Sequence, residues 1–222
     1  MKTRQSGFTL IELLAVVAII GVLAALVTTQ VGRAIDKSKA TSCLNNMRQL
    51  GAAAMAYGAD NNLQFPGSVH GKRLGIKSWR VTLPPYFLAD KDAANFNSMT
   101  DDDPNLKAFQ CPCDKDKDRH YTYIINDYLD MTSAARVHSP AKTFLFAEAV
   151  EGYDPSVDHF HFSEYSAETV APDVFERDVE VKGHADGANY LFADGHVEYL
   201  PWKVVRERIT DSSAEFVSPS IN

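Results

Sequence analysis

The sequence predicts an α+β fold, in which one long N-terminal helix packs on a C-terminal antiparallel β-sheet. A twenty-residue apolar run from Phe8 to Val27 opens the chain, and an amphipathic stripe with helical spacing follows it to Tyr57. Short segments rich in aromatic and β-branched residues come after residue 120. The 222 residues are 45% hydrophobic, which is ordinary for one folded domain with an appendage.

The composition already excludes several classes of protein. The chain has 22 basic and 29 acidic residues, a net charge of −7, so we expect no nucleic-acid partner. Three cysteines are too few for a dense disulfide framework. The sequence has no Ser/His/Asp order typical of hydrolases, no phosphate-binding loop and no dinucleotide fingerprint. We therefore find no sequence motif that predicts a particular enzymatic reaction.

The N-terminal segment is long enough to cross a membrane. Its apolar run spans about 30 Å as a helix, and the basic flank at residues 1–7 predicts a cytoplasmic N-terminus. Glu12 lies within this run, where a charge costs about 2.5–3.5 kcal/mol on insertion scales, so we expect it to have a functional partner. A secreted protein's signal peptide and a plain membrane anchor are the alternatives, and both leave Glu12 unexplained.

The residues from Gly7 to Glu12 resemble the cleavage signal of type IV prepilins and type II secretion pseudopilins. The resemblance implies that prepilin peptidase cleaves between Gly7 and Phe8 and methylates the new N-terminus at Phe8. It also implies that Glu12 pairs with the N-terminal amine of a neighbouring subunit during assembly, which lowers the cost of both charges.

The same resemblance implies a type IV pilin-like architecture. Residues 1–7 are a cleaved leader, 8–31 a transmembrane and filament-core helix, and 32–222 a periplasmic globular domain. The helix is expected to continue to about residue 58, with Gly58 as its stop. A core-facing stripe lies along it: Cys43, Met47, Leu50, Ala54 and Tyr57.

The rest of the globular domain divides into three parts. Residues 59–120 are predicted to be a variable connection, with a short helix or strand at 79–83. Residues 121–200 carry the sheet, with strands near 121–128, 143–150 and 158–163, and His159 is expected to face water or a partner. The tail 201–222 begins with a short helix, after which it is expected to fray.

Asp194 and Gly195 indicate a β-hairpin. As a two-residue type I′ turn they would place Tyr190 opposite Tyr199, and Phe192 opposite Val197, on one face. With His184 they also resemble the C-terminal H-x9-DG signature of a large group of pseudopilin-like bacterial proteins. The signature implies no chemistry, so we expect His184 to be structural, hydrogen-bonded to the hairpin loop; partner binding and simple exposure are the alternatives.

Acidic residues near the C-terminus are the candidates for a metal site. Major pseudopilins of type II secretion often hold calcium near the C-terminus, so the resemblance makes Asp186 and Asp194 candidate calcium ligands, with residues 173–180 offering further oxygens. No other cofactor is expected. Asp114, Asp116 and Asp118 alternate with lysines and lack the glycine and distal glutamate of an EF-hand, which indicates a solvated charged run.

The cysteines leave their pairing open. Cys111 and Cys113 are separated by one residue, which is one fewer than in the usual zinc pair, and no second pair follows. Outside the membrane either of them can form a disulfide with Cys43, while a buried Cys43 thiol is the alternative.

The resemblance implies a structural subunit of a type II secretion pseudopilus or a type IV pilus-like filament. Its partners would be copies of itself or other pilins, prepilin peptidase, and an inner-membrane platform protein with its ATPase. The subunit would span the inner membrane once, with its domain in the periplasm. An anchored tip module that binds a substrate or glycan, and an anchored metal-dependent enzyme, are the alternatives.

Overall fold

The computed structural model describes residues 10–69, 77–87, 108–116, 119, 121–160 and 170–220. The expected cleavage site at Gly7 and Phe8, and the second half of the strand expected at 158–163, lie outside these residues. The chain forms two compact units, Met1–Lys39 and Ala40–Asn222. Within the described residues the α-helices are α1 (Leu10–Asp60), α2 (Trp79–Thr82), α3 (Pro84–Phe87), α4 (Pro172–Asp178) and α5 (Trp202–Ile209).

The described part of the first unit, residues 10–39, is a helix whose opening segment is apolar and exposed. Leu10–Val27 has a mean hydropathy of 2.9 and no buried residue, and by length and composition it can cross a membrane. In the second unit the stripe predicted on α1 is confirmed, since its four residues from Cys43 to Ala54 are buried and Tyr57 is partly buried. The first part of α1 thus exposes an apolar surface of the kind that marks a membrane or protein contact, whereas the domain itself covers the second part.

Helix α1 ends at Asp60, two residues beyond the expected stop. Gly58 stays helical, and its carbonyl accepts hydrogen bonds from the amides of Asn61 (3.1 Å) and Leu63 (2.8 Å). The left-handed turn falls instead on Asn62 and Leu63, which have φ of 55° and 60°. A glycine near a helix end thus marked the right region but not the residue that reverses the chain.

A five-stranded sheet packs against α1. The strands are β1 (Tyr123–Asn126), β2 (Phe144–Glu148), β3 (His159–Phe160), β4 (Gly187–Phe192) and β5 (Val197–Pro201). Their order is β3-β1-β2-β4-β5, and every pair is antiparallel except β1 with β3, which is parallel. The α+β prediction is confirmed, but the sheet is mixed rather than purely antiparallel.

The sheet separates two hydrophobic cores. The helix-side core joins Met47 and Leu50 of α1 to Leu191 of β4. The opposite core, on the other face of the sheet, contains Tyr190 and Phe192, which are the neighbours of Leu191 along the strand. Because successive side chains of a strand point to opposite faces, β4 is buried on both sides.

The predicted hairpin is present, but its turn and register differ from the prediction. Phe192 accepts from the amide of Gly195 and donates to the carbonyl of His196, both at 2.9 Å, so the loop has three residues, 193–195. Gly195 has φ of 91°, whereas Asp194 does not have a positive φ, as in a type I turn closed by a left-handed glycine. The type I′ prediction is therefore wrong.

The three-residue loop moves the strand register by one position. Tyr190 is opposite Glu198, and Leu191 is opposite Val197, instead of the pairs expected from a two-residue turn. Tyr199 consequently lies on the outer surface at 39% exposure.

Helix α1 approaches the hairpin loop closely. A Cβ atom at Gly51 would lie 2.7 Å from Cδ1 of Leu191 and 3.1 Å from the carbonyl oxygen of Gly195. The Leu191 methyl group is the end of a side chain and can move, whereas the Gly195 oxygen belongs to the backbone. The absence of a side chain at Gly51 therefore allows the helix to lie this close to the hairpin loop.

The C-terminal segment is integrated in the domain. Helix α5 follows Pro201 as predicted. Beyond it, Phe216 and Val217 are buried in the opposite core; the carbonyl of Phe216 accepts from the amide of Phe144 (3.0 Å), and that of Val217 from the side-chain amide of Asn126 (2.8 Å). The expectation of a frayed tail is wrong for residues 210–220, because two apolar side chains complete a core.

Asp158 forms hydrogen bonds that hold residues of the connection 59–120 against the edge of the sheet. Its buried carboxylate accepts hydrogen bonds from the amide of Val69 (2.9 Å), from the hydroxyl of Ser78 and from the ring of His159 (3.0 Å), and its carbonyl accepts from the indole of Trp79 (2.8 Å). Burial alone would raise the pKa of Asp158, but these hydrogen bonds lower it below its ordinary value. The expectation that His159 faces water is wrong, because its imidazole serves this carboxylate.

Candidate functional site

The membrane-length part of α1 carries the first candidate residue. Glu12 lies in the first turn of the described helix and is exposed among apolar neighbours such as Leu10 and Ile11, which are 81% and 76% exposed. The pairing of Glu12 with a neighbouring subunit stays a prediction.

A buried histidine–carboxylate pair lies between β2 and β4. Glu148 is the last residue of β2, and His184 belongs to the tight turn that leads into β4, where Ala185 adopts φ of 63°. Nε2 of His184 is 2.8 Å from Oε1 of Glu148, and each side chain is 4% exposed. Burial acts to lower the pKa of His184, but the hydrogen bond and charge of Glu148 outweigh it, so the pKa is raised.

His184 therefore has a structural place, as expected, but its partner differs from the expected one. Its side chain bonds to Glu148 of β2 rather than to the hairpin loop at residues 193–195. Its backbone carbonyl accepts a hydrogen bond from the Tyr199 hydroxyl at 3.1 Å, which ties the turn to β5.

Cys43 of α1 is bonded to Cys111, so the buried-thiol alternative is wrong. Cys113 stays outside the disulfide and is partly exposed. Sγ of Cys111 is 3.8 Å from Nε2 of His184, and the three sulfur atoms and a ring nitrogen of His184 all lie within 4.8 Å of one another. A tetrahedral metal site needs separate thiolates, so the disulfide withdraws two of these four groups from metal binding.

A buried ion pair lies beside this cluster. Arg119 donates from Nη2 (2.7 Å) and Nε (3.0 Å) to Oδ2 of Asp114, with side chains 4% and 7% exposed, and it also donates to the carbonyls of Ala149 and Val150. Asp114 is therefore not part of a solvated run, because Arg119 brings it to the end of β2. Asp118 lies outside the described residues.

A cleft of about 170 Å³ opens over these groups. Its walls mix basic and acidic side chains with the Cys113 thiol and with Glu148. Its lining residues are Cys113, Asp114, Lys115, Arg119, Thr122, Glu148, Ala149, Glu151, Glu180, Lys182 and Gly183.

The two calcium candidates lie at opposite ends of β4. Asp186 precedes the strand and accepts a hydrogen bond from the Tyr199 hydroxyl at 2.5 Å, whereas Asp194 lies in the hairpin loop and accepts from the His196 amide at 3.0 Å. They are separated by the six-residue strand β4, which is about 20 Å long. One ion cannot contact both, and calcium binding by either stays a prediction.

Sequence reasoning missed the roles of Glu148, Arg119 and Asp158. One signal was available, since Glu148 is a lone charge inside the otherwise apolar segment 144–150, and a buried charge requires a partner. The partners themselves, His184 and the sulfur cluster, come together only through the sheet order.

The chain is similar to known proteins in two ways: its N-terminal signal matches a family model, and part of the chain matches type II secretion proteins. A family model described as the prokaryotic N-terminal methylation motif matches residues 2–28. Type II secretion system core protein G of Pseudomonas aeruginosa is 40% identical over 76 residues, 34% of this chain and 53% of the relative. The protein of the same description from Aeromonas hydrophila is 36% identical over 70 residues, 32% of this chain and 48% of the relative.

The chain thus spans about half the length of the curated relatives it matches. No solved structure matches it at a significant level. The prediction of a prepilin-type signal is confirmed, and with the apolar helix it indicates a membrane-anchored protein. The C-terminal H-x9-DG signature is not tested by these matches and stays a prediction.

Proposed function

We propose that this chain, which carries the N-terminal methylation motif and is homologous to type II secretion core protein G over about a third of its length, is a structural subunit of a type II secretion pseudopilus. One observation carries the proposal. The matched segment 2–28 includes Leu10–Val27, an exposed apolar helix of membrane length, and this helix continues directly into the helix of a folded domain.

The N-terminal segment has two roles in this function. Before assembly it holds the subunit in the inner membrane with the domain in the periplasm. After prepilin peptidase cleaves between Gly7 and Phe8, the same apolar surface packs on neighbouring subunits. Glu12 then pairs with the methylated amine of Phe8 on another subunit and sets the register between helices, because an unpaired charge in an apolar environment is costly.

The domain contributes structure rather than catalysis. Its core is anchored to α1 by the Cys43–Cys111 disulfide and by the close approach at Gly51. Such attachment suits a subunit that bears mechanical load in a filament. An inner-membrane platform protein and its ATPase would supply the force that adds subunits to this filament. Homo-oligomeric and mixed filaments are both compatible with this role.

The intact mass of the chain in sheared filaments tests the proposal. We expect loss of residues 1–7 and gain of one methyl group, because Gly7 is the residue that the motif places before the cut. Gly7→Leu should leave the leader attached and abolish filaments, whereas the neighbouring control Ser6→Ala should be processed normally. Cleavage near Ala24 instead would identify a secretory signal and overturn the proposal.

A further inference from the structure

The third cysteine lies beside a disulfide that already has a histidine at one of its sulfur atoms. We propose that this cluster is a thiol–disulfide exchange site, in which the sulfur of Cys43 bonds alternately to Cys111 and to Cys113, and His184 holds the Cys111 thiolate that the exchange releases. The proposal concerns the folded domain and does not depend on filament assembly.

A tight turn brings the two alternative partners to Cys43. The amide of Asp114 donates to the carbonyl of Cys111 at 2.9 Å, which closes a four-residue turn with Pro112 and Cys113 at its centre. Because all three sulfur atoms lie within 4.8 Å of one another, side-chain rotation of Cys113 suffices to approach the disulfide, and the backbone of the turn need not unfold.

The exchange is balanced without any external oxidant. The Cys113 thiol loses its proton to solvent, and its sulfur forms a bond to Sγ of Cys43. The bond between Cys43 and Cys111 breaks, and its electron pair stays on Cys111 as a thiolate. One disulfide and one thiol are present before and after the step, and the reverse step restores the original bridge.

His184 favours attack of Cys113 on the Cys43 sulfur, because that attack releases Cys111 as the thiolate. A thiolate on buried Cys111 requires a positive partner, and Nε2 of His184 is 3.8 Å from its sulfur. Glu148, 2.8 Å from the same ring nitrogen, keeps the imidazole protonated to a higher pH, as the raised pKa of His184 indicates. A leaving thiol that is stabilised as its anion departs faster.

The cleft gives the site access to solvent. Cys113 contributes to its wall and is partly exposed, whereas both sulfurs of the disulfide belong to buried residues. Small thiols and disulfides therefore meet Cys113 first. Three basic residues, Lys115, Arg119 and Lys182, line the cleft beside four acidic ones.

Disulfide mapping in the full-length chain tests the proposal. Membranes that contain the protein are equilibrated in a glutathione redox buffer, quenched in acid so that thiolates are protonated, and alkylated with N-ethylmaleimide in acidic guanidinium. Mass spectrometry then gives the labelled share of each cysteine. We expect the label mainly on Cys113 and, in a minor and reproducible share, on Cys111.

Three variants sharpen the test. Cys111→Ala should form the Cys43–Cys113 bridge, and the matched control Cys113→Ala should retain Cys43–Cys111 with no label on Cys111. In the native chain the share of label on Cys111 should vary with pH. His184→Gln should lower that share several-fold and remove its pH dependence, which a merely structural role would not do.

Label confined to Cys113 in the native chain at every pH would overturn the proposal, whether or not Cys111→Ala folds. A second outcome would overturn it as well. This outcome is that Cys43 and Cys113 stay as separate thiols in Cys111→Ala, in the same buffer in which the control Cys113→Ala forms its disulfide completely.

Discussion

A single buried pair, Glu148 with His184, makes the stability of the domain depend on pH. The pKa of His184 is raised in the folded chain, because Glu148 outweighs the effect of burial. The stability that this pair contributes is therefore complete below the ordinary histidine pKa of about 6.5 and is lost as pH rises through the raised value.

We expect the melting temperature of the full-length chain to fall as pH rises above the ordinary histidine pKa. Glu148→Gln should cost about 1.5–3 kcal/mol at low pH, as expected for a hydrogen bond to a charged group, and should flatten the profile. His138→Gln is the control, because His138 is 65% exposed beside Glu215 and such pairs contribute little. An unchanged slope in Glu148→Gln would contradict the assignment.

Glu12 makes the corresponding prediction for the membrane segment. Glu12→Val removes a charge, so the helix should insert better, by about 2.5–3.5 kcal/mol on insertion scales. Filament assembly should nevertheless fail, because the charge partner of the N-terminal amine is lost. The measurement compares membrane-inserted subunit with subunit in sheared filaments. Normal filament yield from Glu12→Val would refute the pairing.

The β4–β5 hairpin shows why an element was predictable and its register was not. Ala193, Asp194 and Gly195 suit both a two-residue and a three-residue loop, since both need a glycine with positive φ. Alternating polarity normally selects the register, because a shift of one residue exchanges the faces. Every residue of β4 is buried, so this strand carries no such alternation.

The same hairpin supports a prediction about Gly195. Gly195→Val places a β-branched residue at φ of 91° and a Cβ atom 3.0 Å from Cγ of Met55 on α1. We expect a loss of about 2–5 kcal/mol, from left-handed strain and from overpacking together.

Gly152→Val is the matched control for that change, because Gly152 also has positive φ, 76°, but a Cβ atom there meets nothing within 4 Å. It should show the strain alone, about 1–2 kcal/mol. Urea unfolding of both full-length variants gives the comparison. Equal losses would mean that the contact between the hairpin and Met55 contributes nothing.

A disulfide cross-links the domain to α1, in addition to the packing between them. The Cys43–Cys111 disulfide closes a loop with a sequence separation of 68, for which chain entropy gives about 4 kcal/mol. Cys43→Ala should lose a stability of this order in denaturant unfolding, and Cys113→Ser should lose little, because it retains the bridge. A loss in Cys43→Ala no greater than in Cys113→Ser would show that the bridge does not stabilise the fold.

At this scale the sequence predicted the N-terminal helix, about the first 60 of the 222 residues, better than the site. The apolar run, the signal around Gly7 and the stripe on α1 are local patterns, and each can be recognised within thirty residues. The cluster at His184 depends on a turn near residue 111, the end of β2 and a helix far away in the chain. Those meet only through tertiary packing, which no local pattern encodes.

The hydrogen bonds at Asp158 have a consequence for the rate of folding. The bonds from Val69, Ser78 and Trp79 connect this residue to partners 79 to 89 positions earlier, whereas the paired residues of the β4–β5 hairpin lie at most 14 positions apart. Chains rich in such distant contacts fold in milliseconds to seconds, because a long loop must lose its conformational entropy before the contacts that close it can form. The hairpin should therefore form early and the sheet edge at Asp158 late, so that Asp158→Asn accelerates unfolding far more than it slows folding.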